Sequence, residues 1–200
     1  MALPIDFYFD FSSPYGYLAS EKIDELAARY GRRVNWHPIL LGAVFKVTGG
    51  VPLVQWPLKG DYYRHDFARS ARYLGVPFTM PQKFPLATQA AARAYYWLEG
   101  QDRQLARNFA HACYRAYFAE GMDISDVQRL LVIATSMGVD GEALEAALKD
   151  PAVKERLKTE NDQAIARGVC GSPFYIVDGE PFWGSDRLPQ LEKWLETGGF

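Results

Sequence analysis

The chain has 200 residues, 48% of them hydrophobic and 14% aromatic, which is material for one domain with a sizeable core or one domain carrying a large insertion. Its 22 Lys and Arg nearly balance 24 Asp and Glu, so no basic footprint for nucleic acid is expected. No run approaches the ~20 apolar residues of a membrane span. The first residues show no basic region followed by a cleavage site, and the expected location is cytoplasmic. The two cysteines, Cys113 and Cys170, are far apart and form no C-x-x-C, and His37, His65 and His111 stand apart from them and from one another. Neither a disulfide framework nor a bound metal is expected.

Residues 5–11 alternate apolar with polar and are aromatic-rich, the pattern of a strand. Ser13 then reads as an N-cap and Pro14 as the first helical residue. Leu18, Ile23, Leu26, Ala27 and Tyr30 follow at helical spacing, and Gly31 is the expected stop. Residues 34–40 read as a second strand, parallel to the first and joined to it by a right-handed crossover. Residues 42–60, with glycines, prolines and isolated aromatics, read as a loop with one helical turn at most. Helices are then expected over 62–74, 86–98, a third segment carrying Leu105, Phe109, Ala112, Cys113 and Ala116, a fourth capped by Ser125, a fifth capped by Asp140, and 151–167. Residues 174–177 and 180–183 flank Asp178-Gly179, a turn preferred in tight hairpins. Ser185-Asp186 is expected to cap a last helix that buries Leu188, Leu191, Trp194 and Leu195. The order β-α-β, helices, β-β-α is that of an α/β thioredoxin-like core split by an all-helical insertion. The expected division is 1–60 and 168–200 for the core and 61–167 for the insertion.

Three segments carry candidate chemistry. Ser12-Ser13-Pro14-Tyr15 sits where a helix N-terminus, with open N–H groups and about half a positive charge, favours an anion. No cysteine is present to supply that anion, so it comes from outside or is absent. The Ser13 hydroxyl can donate a hydrogen bond to a ligand's thiolate. A charge-assisted bond of ~1.5–3 kcal/mol, with one pKa unit at about 1.4 kcal/mol, lowers a bound thiol by roughly one to two units. An alkoxide at Ser13 is disfavoured because no His or Lys base is adjacent in sequence. Gly171-Ser172-Pro173 precedes a strand, where a cis-proline leaves the preceding backbone free to pair with an extended ligand. Trp183-Gly184-Ser185-Asp186 offers a hydroxyl and a carboxylate at a helix start. An ordinary capped helix, a trans proline and a second capped helix explain the same residues taken singly. Lys46, Lys59 and Arg64 are candidate partners for a substrate carboxylate, and Trp56, Tyr62, Tyr63 and Phe84 for an aromatic wall; solvated lysines and core packing explain them as well.

Asp-Phe-Tyr-Phe-Asp-Phe-Ser-Ser-Pro-Tyr, Gly-Ser-Pro-Phe and Trp-Gly-Ser-Asp-Arg-Leu, in this order, resemble the 2-hydroxychromene-2-carboxylate isomerases and their kappa-class glutathione transferase relatives, in the DsbA-like branch of thioredoxin folds. The resemblance implies glutathione as cofactor, Ser13 as the serine that bonds its sulfur, and Ser172 ahead of a cis-Pro173 as its backbone partner. It also implies that Pro14 and Tyr15 border the cofactor and that Trp183, Gly184, Ser185 and Asp186 hold its γ-glutamyl end. Lys46 and Phe84 then face a small aromatic carboxylate, with Lys59 a further candidate from its place near the same loop, and the chain forms a homodimer. Gly50 stands where relatives carry an asparagine. The implied reaction is addition of the thiolate to 2-hydroxychromene-2-carboxylate, ring opening, bond rotation and elimination, giving trans-o-hydroxybenzylidenepyruvate. A kappa-class-like transferase and a non-catalytic glutathione- or peptide-binding module are the alternatives. The missing C-x-x-C argues against a disulfide oxidoreductase.

Overall fold

The computed structural model describes residues 3–200. β1 (Ile5–Phe9) lies between β2 (Val34–Pro38), parallel to it, and β3 (Phe174–Val177), antiparallel to it; β4 (Glu180–Trp183) pairs antiparallel with β3, giving the order β2-β1-β3-β4. The expected parallel pair and the Asp178-Gly179 hairpin are both present, with Asp178 at φ 54° and Gly179 at φ 92°. β1 ends at Phe9 rather than Phe11, because Asp10 turns back on itself: its carboxylate accepts the N–H of Ser12 at 2.8 Å.

α1 (Pro14–Arg29) crosses one face of the sheet. Phe7 and Phe9 point to this face and meet Trp36, Tyr175 and Tyr114 in edge-on, stacked and tilted contacts. Tyr8, Ile39, Val44, Val169 and Phe174 form a smaller core on the opposite face. Between β2 and β3 come α2 (Leu41–Thr48), α3 (Lys59–Leu74), α4 (Gln89–Glu99), α5 (Arg103–Phe118), α6 (Val127–Thr135), α7 (Gly141–Lys149) and α8 (Pro151–Ala166). α9 (Leu188–Thr197) closes the described chain. The fold is thus an α/β thioredoxin-like core with a large helical insertion. No helix among the described residues is long and apolar enough to cross a membrane.

Several local expectations change. Residues 41–48 form a two-turn helix rather than a loop, and a 3-10 turn follows at Leu53–Gln55. α3 begins at Lys59, so the boundary drawn after residue 60 lies within its first turn. α4 begins at Gln89 and not at Leu86, whose N–H is held by the Ser12 hydroxyl at 3.1 Å. Asp126 rather than Ser125 caps α6, since Ser125 gives both its N–H and its hydroxyl to Asp123. Ser185-Asp186 forms a 3-10 turn ahead of α9 and puts no side-chain cap on it.

Side chains from the insertion tie it to the core. Arg107, Tyr95 and Tyr96 donate to the carbonyls of Val34, Trp36 and Pro38 on β2. The face between α1 and α5 is charged. Arg115 pairs with Glu21 at 2.6 Å, and His111 lies 3.7 Å from both Glu21 and Asp24. Burial works against charge on His111, but Asp24 and Glu21 outweigh it and hold the imidazole above its ordinary 6.5. A raised histidine contributes its stability fully below its unfolded pKa and loses it as pH rises through the folded value. Thermal melts should therefore fall as pH climbs above 6.5, by up to about 1 kcal/mol or about 2–4 °C in Tm. His111→Gln should remove that slope.

Candidate functional site

Ser13 caps α1 as its sequence demands. Its Oγ accepts the N–H of Gly16 at 3.0 Å, and its own N–H is held by the Asp10 carbonyl at 2.8 Å. Pro14, at the first helical position, has no N–H, so the N–H of Tyr15 is the first-turn donor left open. The Ser13 hydroxyl also donates to the carbonyl of Ser172 at 2.9 Å. A carbonyl only accepts, so the one hydroxyl hydrogen is committed there. Donation to an incoming sulfur therefore requires this hydrogen to swing away from Ser172.

The Ser172–Pro173 peptide is cis, the isomer that the resemblance implied and that the local residues left open, and it faces the start of α1. The Ser172 hydroxyl accepts the N–H of Asp10 at 2.9 Å, and the residue borders the cavity. The Pro173 carbonyl accepts the N–H of Gly184 at 3.0 Å, which brings the third sequence segment to the second. Gly184 has φ 115°, open to glycine, and the Asp186 carboxylate lies over the space a side chain there would fill. The Trp183 indole likewise lies against Gly171.

These three segments open into one cavity of about 1500 Å³ between the core and the insertion. Ser13, Pro14, Tyr15, Ser172, Pro173, Trp183, Gly184, Ser185 and Asp186 all line it, and so do Lys46, Phe84, Tyr63 and Cys170. Lys59 does not: its ammonium lies 5.5 Å from the Trp56 ring centroid, outside the lining. Trp56, Tyr62 and Arg64 are also outside it. No histidine borders the cavity among the described residues, while Lys22 and Lys46 do. No cluster of metal-ligating side chains occurs among them either. Phe67 and Phe84 meet edge-on at 6.1 Å and give the inner cavity an aromatic wall. Cys113 is buried in the core, and burial pushes the Cys170 thiol above its ordinary 9.0, away from the reactive range.

Sequence reasoning missed three contributors. Tyr15 donates to Asp66 on α3 at 2.5 Å, and Asp66 also holds Arg69 and the Ser70 hydroxyl. Burial and then this bond to Asp66 push the Tyr15 phenol upward, so it stays neutral and acts as a donor. Burial acts to raise Asp66, but Tyr15, Arg69 and Ser70 together bring it below its ordinary value. Asp10 is 4% exposed, and its carboxylate accepts from Ser12 N, Leu41 N at 2.7 Å and Thr88 Oγ1 at 3.0 Å. Tyr114 on α5 donates to the Asp10 carbonyl at 2.9 Å. The spacing from an aspartate to the N–H two residues on was a legible sign of an Asx turn at Asp10; the Leu41 and Thr88 contacts, 31 and 78 residues away, were not.

The fold and site are those of a thioredoxin-like domain with serine, not cysteine, at the start of α1 and a cis-proline opposite it. The chain belongs to the DSBA-like thioredoxin domain family, matched over residues 4–196. It is 34% identical, over 98% of its length and 99% of the relative's, to a 2-hydroxychromene-2-carboxylate isomerase of Sphingobium xenophagum. It is 28% identical, over 96% of its length and 91% of the relative's, to glutathione S-transferase kappa 2 of Caenorhabditis elegans. A solved 2-hydroxychromene-2-carboxylate isomerase superposes with a TM-score of 0.86 at 29% identity, covering 97% of this chain and 94% of that one.

Gly16 leaves no room for a larger residue. A Cβ there would stand 2.6 Å from the Tyr114 hydroxyl and 2.8 Å from that of Ser172. Gly16→Ala should cost about 1–3 kcal/mol by overpacking, read from the midpoint of denaturant unfolding.

Proposed function

We propose that this protein is a glutathione-dependent isomerase acting on 2-hydroxychromene-2-carboxylate or a close aromatic analogue. The observation that carries the reading is the Ser13 hydroxyl at the start of α1, 2.9 Å from the Ser172 carbonyl, in a cavity whose own thiol is held protonated. Glutathione fits the residues present, because the open Tyr15 N–H and the Ser13 hydroxyl supply donors for a sulfur anion and the Ser172 backbone supplies an edge for a peptide. The similarity to named kappa-class transferases supports the same ligand.

When bound, glutathione would supply a reversible thiol nucleophile for the substrate's conjugated carbon, and it would be regenerated rather than consumed. Ser13 orients and stabilises the sulfur anion through its hydroxyl hydrogen, released from Ser172. Tyr15, kept neutral by burial and fixed by Asp66, walls the same end of the cavity. Ser185, Asp186, Gly184 and Trp183 receive the γ-glutamyl end. Phe84, with Phe67 behind it, stacks the aromatic ring, and Lys46 on α2 faces its carboxylate. Lys59 has no part in this arrangement. A small aromatic carboxylate is thus the substrate class, a homodimer the assembly and the cytoplasm the location.

The test is to follow the chromene acid by its ultraviolet absorbance with and without glutathione. Interconversion should require the thiol. In Ser13→Ala, kcat should fall about tenfold to a hundredfold, matching loss of a charge-assisted bond of about 1.5–3 kcal/mol. Full-rate interconversion without thiol would end the reading. Accumulation of a stable conjugate would instead identify a transferase.

A further inference from the structure

Three helices begin at the inner end of this cavity, and one carboxylate meets all three. The Ser12 N–H at the entry to α1, the Leu41 N–H at the start of α2 and the Thr88 hydroxyl just before α4 all donate to Asp10. Neither α2 nor α4 has a side-chain cap of its own. Each helix start carries roughly half a positive charge; with no cation beside an aspartate only 4% exposed, burial pushes its carboxyl above the ordinary 3.8, and the Leu41 and Ser12 N–H groups and the Thr88 hydroxyl pull against that rise and favour the charged form. The same residue's backbone binds the serine pair, its N–H to the Ser172 hydroxyl and its carbonyl to the Ser13 N–H. Asp10 and all three of its side-chain donor residues border the cavity.

We propose that Asp10 is a positioning residue of this site. Its carboxylate is a built-in anion that locks the α2 and α4 starts against the Ser13 turn and occupies their positive ends, leaving the α1 end as the open place for a ligand's anion. This gives two substitutions opposite electrical effects. Asp10→Asn keeps the shape and the Ser12 contact but removes the negative charge and turns an amide NH2 toward the Leu41 N–H. Thr88→Val keeps the carboxylate and removes one donor that offsets it, so the cavity floor becomes more negative.

Two measurements test the idea, the first independent of any ligand. In the unliganded protein, amide hydrogen exchange at Leu41 should speed up by at least about tenfold in Asp10→Asn, the equivalent of losing one hydrogen bond. Unchanged protection at Leu41 overturns the proposal. The second measurement rests on the glutathione reading above and follows the ultraviolet absorbance of bound glutathione thiolate against pH. The bound-thiol pKa should drop by roughly one unit in Asp10→Asn and rise in Thr88→Val. A merely structural role predicts that both variants drift upward toward the free thiol, and shifts in the same direction overturn the proposal. Should Asp10→Asn fail to fold, Thr88→Val decides alone, and an unshifted thiol refutes the idea. If the unaltered protein binds no glutathione, the thiol reading falls while the exchange experiment still decides whether Asp10 holds the α2 start.

Discussion

A buried carboxylate with no cation is tolerable only where hydrogen-bond donors and helix ends converge on it, and Asp10 is such a point. The layout of the cavity follows from that constraint. β1 must stop at Phe9 so that Asp10 can turn, α2 must start at Leu41 to offer its N–H, and the segment before α4 must bring Thr88 within reach. Ser13 and Ser172 then take their places through the Asp10 backbone. The core and the insertion meet here through polar contacts, while their apolar surfaces merge into one core.

The cavity owes its two characters to its two walls. The core side is polar, built of backbone groups, hydroxyls and the start of α1. The insertion side is aromatic, with Phe67, Phe84 and Tyr63. Tyr15 joins the two, rising from the first turn of α1 to meet Asp66 on α3. Partial burial of the one thiol along the lining, Cys170, pushes it above its ordinary 9.0.

Much of this was legible in the sequence because it is local. The Ser13-Pro14 helix start, the βαβ crossover, the Asp178-Gly179 hairpin and the cis-proline neighbourhood each depend on a few adjacent residues. What was not legible is tertiary. α2 buries only Val44, contains Gly42 and runs into Gly49-Gly50, so nothing in its pattern separates it from a loop until Asp10 anchors its first N–H. The start of α4 moved for the same reason, since Ser12 holds Leu86 back, whereas that of α6 moved through a local turn in which Asp123 occupies Ser125. Lys59 stood near the right loop in sequence, but its ammonium settled beside Trp56 outside the cavity lining.

The treatment of β2 has a wider consequence. The carbonyls of Val34, Trp36 and Pro38 belong to the alternate set that points away from β1, and Arg107, Tyr95 and Tyr96 occupy all three. At the opposite margin of the sheet, β4 carries Pro181, which has no N–H to offer. Both margins are therefore poor templates for an extra strand, and the sheet resists edge-to-edge association with other chains during and after folding.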